Sequence, residues 1–218
     1  MKYELPVIPP EGTKNLWEGQ FTVFSWYHFV INIPAPVFMV TTLKENGLAN
    51  AQLSAWGMMG GSGKEPKFIL QVHNHTETRQ LIEKTKEFVI NYPGVALKDK
   101  FMKTINRFDV STDEIIASGL QHEPSVIVKT PGVKECFANL ECTLDWIRDV
   151  ESENKISSLV QGSIVHAVIS EEVLVDDIRI SNEKRAWVYD IQEMLNPKTG
   201  NQQTGLLTSL DLKSAMDI

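Results

Sequence analysis

Cysteine is nearly absent: the 218-residue chain has two, Cys136 and Cys142. A chain long enough to bury a core needs no disulfide framework, and none is expected. Six positions apart, the two would share one face of a regular strand but lie about 20 Å apart. Burial as small apolar side chains is the expected state for both. An excess of positive charge is also lacking, with 21 basic against 28 acidic residues and a formal net charge of −7. No general attraction to phosphate backbones or anionic lipid follows, so neither nucleic acid nor membrane is an expected partner. No apolar run approaches the length of a membrane span, and Met1 to Pro6 lacks the basic start and apolar stretch of a signal peptide; a cytoplasmic protein is expected.

Several catalytic signatures are missing too. No Gly-x-Ser-x-Gly elbow supports a hydrolase. The run Gly57-Met58-Met59-Gly60-Gly61-Ser62-Gly63-Lys64 is not a P-loop, because Met58 stands where the first glycine belongs and Glu65 where Ser or Thr would bind the metal. It is not a dinucleotide fingerprint either, since Pro66 replaces the third glycine. It reads as a flexible loop whose backbone can approach a ligand. His73 and His75 have no third ligand nearby in sequence, so no metal site is expected.

What is present is an ordinary globular composition, 42% hydrophobic and 22% charged, sufficient for one core. Residues 1–20, with Pro6, Pro9 and Pro10, read as an extended arm; 21–196 form the expected domain and 197–218 a tail. Phe21 to Ile33, dense in aromatic and β-branched residues, predicts a strand, and Val37 to Leu43 predicts another. Lys44-Glu45-Asn46-Gly47 predicts a tight hairpin returning through Leu48 to Ser54. Further strands are predicted at Lys67–Val72, Glu87–Asn91, Cys136–Ile147 and Gly162–Ser170. Helices are predicted over Thr76–Lys86 with Thr76 as N-cap, Lys98–Asn106, and Thr112–Ser118, the last with a Ser111/Glu114 capping box. A strand end, His73 and His75, and a helix N-terminus in succession suit an anion better than a metal.

These blocks, taken in order, resemble the flavin reductase-like FMN-binding split-barrel family, and within it the flavoredoxin-like branch. The resemblance rests on Pro36-Val37-Phe38-Met39-Val40-Thr41-Thr42 with Gly47 and Asn50; on Ala51-Gln52-Leu53-Ser54-Ala55-Trp56; on His75-Thr76 followed by Leu81 to Asn91; on Glu135 to Cys142; and on Gly162-Ser163-Ile164-Val165. It covers about residues 34 to 175. It departs from the family at Gly60 to Pro66, where many relatives carry Ser-x-x-Pro-Pro, and at Ser157 to Gln161, where many carry a histidine.

The resemblance implies a mainly β fold, a six-stranded Greek-key split barrel with short flanking helices, and a homodimer binding FMN near the subunit interface. It implies NADH or NADPH as electron donor and a flavin, a ferric chelate or a protein as acceptor. The alternative is an FMN-binding electron carrier or flavin-storage protein without efficient turnover. Carried over by position, the cofactor contacts are Thr41, Thr42, Asn50, Ala51, Gln52, Leu53, Ser54, Ala55, Trp56, His75 and Thr76. No catalytic side chain is implied, because the cofactor carries the chemistry. The phosphate is expected at the start of the helix near Thr76, with Arg79 as an outer cation, and part of Phe21 to Phe29 in the dimer interface.

Overall fold

The computed structural model describes residues 2, 4–13, 21, 25–31, 33–105, 108–150, 157–175, 179–180, 187–190, 194–195, 198, 202–203 and 208–210. The chain divides into two compact units, Met1–Ala35 with Tyr189–Thr208, and Pro36–Val188 with Ser209–Ile218.

In the first unit the expected strand over Phe21 to Ile33 is instead a short helix, Tyr27–Ile31. Trp26 and Phe29, three apart, bury on one side of that turn. The Trp26 indole N–H donates to the Pro6 carbonyl at 2.9 Å, and Phe21 meets Phe29 edge-on. Local β-propensity yields here to tertiary burial. Trp26 and Phe29, two residues of the Phe21 to Phe29 stretch, are buried within a single chain.

The second unit is built on seven strand segments: β1 (Phe38–Leu43), β2 (Ala49–Ser54), β3 (Gly57–Ser62), β4 (Glu65–His73), β5 (Glu87–Tyr92), β6 (Ala138–Asp149) and β7 (Ser157–Ile169). Their order is β2-β1-β5-β6-β7-β4-β3, with every neighbouring pair antiparallel. The two ends of this order, β2 and β3, are separated in sequence only by Ala55 and Trp56. Residues 49–62 are therefore one bent strand, pairing with β1 by its first half and with β4 by its second. That bend closes the sheet into a mainly β, six-stranded split barrel, the expected fold class.

Alternate residues point inward, and Phe38, Val40, Phe68, Leu70, Phe88, Ile90, Leu140, Cys142 and Val160 fill the interior. Two glycines make room for the largest rings. A Cβ on Gly57 would lie 2.6 Å from the Phe38 ring, and one on Gly162 2.6 Å from the Phe88 ring. The β1–β2 hairpin turns at Gly47, whose φ of 82° requires glycine and whose N–H donates to the Lys44 carbonyl at 3.0 Å.

Three short helices flank the barrel: α1 (Glu77–Thr85), α2 (Lys98–Phe101) and α3 (Glu114–Ala117). The expected continuous helix over Lys98–Asn106 is interrupted, with α2 running into a 3-10 turn at Met102–Ile105. The glycine-rich run expected as a loop is largely strand β3, paired with β4. Its glycines are compatible with an edge strand, and Gly61 takes a φ of 86° beside the turn. The capping box at Ser111 does not form. Asp113 is the N-cap of α3, accepting from the Ile116 amide, which frees Glu114 for a different role. Cys136 precedes β6 rather than lying in it, because that strand begins at Ala138. The polar run expected between β6 and β7, residues 151–155, falls outside the described residues.

Candidate functional site

Strand β2 is held from outside the barrel by α3. The Ala49 amide donates to Asp113 Oδ2 at 3.1 Å and the Ala51 amide to Glu114 Oε2 at 2.9 Å. Glu114 Oε1 receives the Lys44 ammonium at 2.9 Å, both side chains being buried. Desolvation acts to raise the Asp113 pKa, but the Ile116 and Ala49 amides and the His122 ring outweigh it and hold the carboxyl below its usual range.

Inside the same strand, Asn50 faces Thr42 across the ladder. Its side-chain amide donates to Thr42 Oγ1 at 2.9 Å and to Thr78 Oγ1 at 2.8 Å. Both bonds use Nδ2, leaving Oδ1 as an acceptor. Thr78 lies in the first turn of α1, so this amide pins the start of the helix to β1 and β2. Beyond it, Gln52, Leu53, Ser54, Ala55 and Trp56 are half-buried. Trp56 meets His73, the last residue of β4, edge to face at 6.1 Å. The structure thus brings the Asn50–Trp56 run beside the segment from His73 to Thr78, two stretches expected to share a ligand.

At the start of α1, Thr76 is the N-cap. Its hydroxyl accepts from the Arg79 amide at 3.3 Å and donates to the His73 carbonyl at 2.8 Å. His75 is exposed. Among the described residues no acceptor is bonded to the Glu77 or Thr78 amide, the first two N–H groups of the helix. Arg79 is committed elsewhere, reaching Glu83, Asp149 and the Ser158 hydroxyl.

Thr41 lies apart. Being adjacent to Thr42 it faces the opposite side of the sheet, where its hydroxyl donates to the Pro131 carbonyl at 2.7 Å and accepts from Asn91. Asn91 in turn accepts from the Val133 amide and from Asn139. Close by on that side, Glu141 accepts three consecutive amides, Val126, Ile127 and Val128, at 2.7 to 3.0 Å. These contacts fasten the 125–137 segment to the barrel wall. A cavity of about 620 Å³ between that segment and the end of β7, lined by Gln121, Lys134, Cys136 and Ser170 among others, contains none of the expected cofactor residues.

Sequence reasoning passed over Lys44, Thr78, Asp113 and Glu114. Lys44 reads as the first residue of a turn, and Glu114 as a capping-box partner. Among the described residues no cluster of three His, Cys, Asp or Glu could hold a metal ion, and no helix is long and apolar enough to cross a membrane.

The donor set suits an amphipathic, anionic ligand: an amide acceptor and half-buried backbone for a planar polar-edged ring, an indole for its face, and a helix start for a phosphate. Residues 30–181 match the flavin reductase like domain, and the chain belongs to that family. A relative of uncharacterised function from Methanothermobacter thermautotrophicus is 31% identical over 143 residues, 65% of this chain and 66% of that protein. The match therefore spans slightly under two thirds of that relative. Nitrilotriacetate monooxygenase component B from Bacillus cereus shares the fold with a TM-score of 0.73 at 18% identity, over 97% of this chain and 100% of that one. The flavoredoxin of Desulfovibrio vulgaris (Miyazaki F) does so with a TM-score of 0.62 at 21% identity, over 84% and 93%.

Proposed function

We propose that this chain is an FMN-binding oxidoreductase of the flavin reductase type, moving electrons from NADH or NADPH to a flavin, a ferric chelate or a protein acceptor, and working as a homodimer. The observation that carries the reading is the Asn50–Thr78 hydrogen bond of 2.8 Å, which sets the Asn50–Trp56 run against the start of α1 in a member of this family. When bound, the cofactor supplies the redox chemistry, so no side chain need act as acid or base. The protein's part is to bind and orient. Asn50 Oδ1 and the backbone from Gln52 to Ala55 would pair with the ring's amide-like edges, and Trp56 would cover apolar surface and exclude water. The Glu77 and Thr78 amides, with the Thr76 hydroxyl and His75, would hold the phosphate.

Titration of purified protein with FMN, followed by quenching of flavin fluorescence, tests binding. Saturable quenching is expected, and its absence overturns the reading. Anaerobic addition of NADH or NADPH to the complex should then bleach the flavin's visible absorption. A complex that binds FMN and is bleached by neither nucleotide is a carrier rather than a reductase. Light scattering at micromolar concentration should report a dimer, and a monodisperse monomer overturns that part.

A further inference from the structure

We propose that the buried Lys44 is a positioning residue of the flavin site, tying strand β2 to the start of α1 and cancelling the Glu77 carboxylate where the phosphate binds; this rests on the function proposed above. Lys44 directly follows β1, and its side chain is 2% exposed. A buried ammonium is tolerated only when paired. Its partners are Glu114 Oε1 at 2.9 Å, the Thr112 carbonyl at 3.0 Å and, more loosely, Glu77 Oε2 at 3.9 Å.

Each partner leads to one half of the site. With its other oxygen Glu114 accepts from the Ala51 amide at 2.9 Å, in the strand that would contact the ring. Glu77 is the first residue of α1, whose first-turn amides would hold the phosphate. A carboxylate there is favourable for the helix dipole, but it repels a second anion brought to the same helix start. Three charges, one positive and two negative, meet at this point. Removing Lys44 leaves two carboxylates uncompensated, one of them beside the proposed phosphate position. A purely structural ion pair would affect folding alone; a positioning residue also alters what the phosphate contributes to binding.

The readout is the ratio of riboflavin to FMN dissociation constants, which isolates the phosphate's contribution and is independent of how stable the folded protein is. Lys44→Met should lower that ratio about tenfold, the scale of one largely water-screened charge at close range. Lys44→Met combined with Glu77→Gln should restore it, and Glu77→Gln alone should raise it. If Lys44→Met does not fold, the pair Lys44→Met with Glu114→Gln removes both buried charges while leaving Glu77 uncompensated, and the ratio should again fall. An unchanged ratio in the folded Lys44 variants overturns this inference and leaves the flavin reading standing. Wild-type protein that binds neither flavin overturns the flavin reading, and this inference with it.

Discussion

The Asn50 side-chain amide donates to the Thr78 hydroxyl at 2.8 Å and to the Thr42 hydroxyl at 2.9 Å, so one buried group joins two strands to α1. Asn50→Ala leaves both hydroxyls buried without this partner and should cost about 1–3 kcal/mol. Because Asn50 stands at the proposed ring site rather than the phosphate site, FMN and riboflavin should weaken together, by about tenfold for one lost hydrogen bond and its alignment. Thermal denaturation with parallel flavin titrations checks both. Unchanged affinity for both flavins in a folded variant would reduce Asn50 to a structural bond.

Thr76 separates differently. Its hydroxyl already caps α1 and donates to the His73 carbonyl, so a bound phosphate would have to draw the proton away from that carbonyl. Thr76→Ala should lower stability by about 1 kcal/mol through the lost cap. It should also weaken FMN about tenfold while leaving riboflavin unchanged. Equal loss for both ligands would place the phosphate elsewhere.

Much of the barrel was readable from short-range pattern. Lys44 to Gly47 announced the β1–β2 hairpin, the alternation in Lys67 to Val72 announced β4, and Thr76 with Leu81 and Ile82 announced α1, because turn chemistry and periodicity act within a few residues. The Tyr27–Ile31 helix was not readable. Its aromatic and β-branched residues favour a strand, and the contact that decides otherwise joins Trp26 to Pro6, 20 positions away. The site divides in the same way. Asn50 to Trp56 and Thr76 are candidates by family resemblance, whereas the partners that position Asn50 and Ala51 lie 28 residues off for Thr78 and 63 for Glu114. A buried lysine or glutamate carries no local mark of burial.

Gly57 and Gly162 should resist any side chain. At each, a new Cβ meets a phenylalanine ring at 2.6 Å inside a filled barrel. Gly57→Ala and Gly162→Ala should each cost about 1–3 kcal/mol by overpacking. Gly60→Ala, with nothing within 4 Å of its Cβ, should stay within about 0.5 kcal/mol of wild type. Urea midpoints compare the three, and equal values would refute the packing argument.

Both cysteines should be inert in the native protein. Burial, reinforced by nearby Glu135, pushes the Cys136 thiol well up; burial, reinforced by Asp145 and Glu141, does the same to Cys142. The thiolate is the reactive form. An aromatic disulfide reagent at pH 8 should therefore label neither thiol in buffer and both in denaturing urea. Rapid labelling in buffer would show that one of them opens to solvent.

Glu141 should make the fold acid-sensitive. Desolvation alone would raise its pKa, but the Val126, Ile127 and Val128 amides, aided by His166, outweigh that and hold it below the ordinary glutamate range. A carboxyl whose folded pKa is depressed adds stability that is complete above its unfolded value, about 4.3. That stability is lost as pH falls through the lower folded value. Glu141→Gln keeps one acceptor oxygen and no charge, so at pH 7 it should lose about 2–3 kcal/mol. Asp109, Asp113 and Asp145 are also depressed and will make both proteins weaken in acid. They are common to wild type and variant, however, so the difference between the two isolates Glu141. Urea denaturation from pH 7 down to pH 3 should show that difference constant at first, then shrinking below the ordinary glutamate range as the wild-type carboxyl takes up its proton. A gap that stays constant over the whole range would mean that the amides are held by shape alone, and that the charge on Glu141 does not fasten the 125–137 segment.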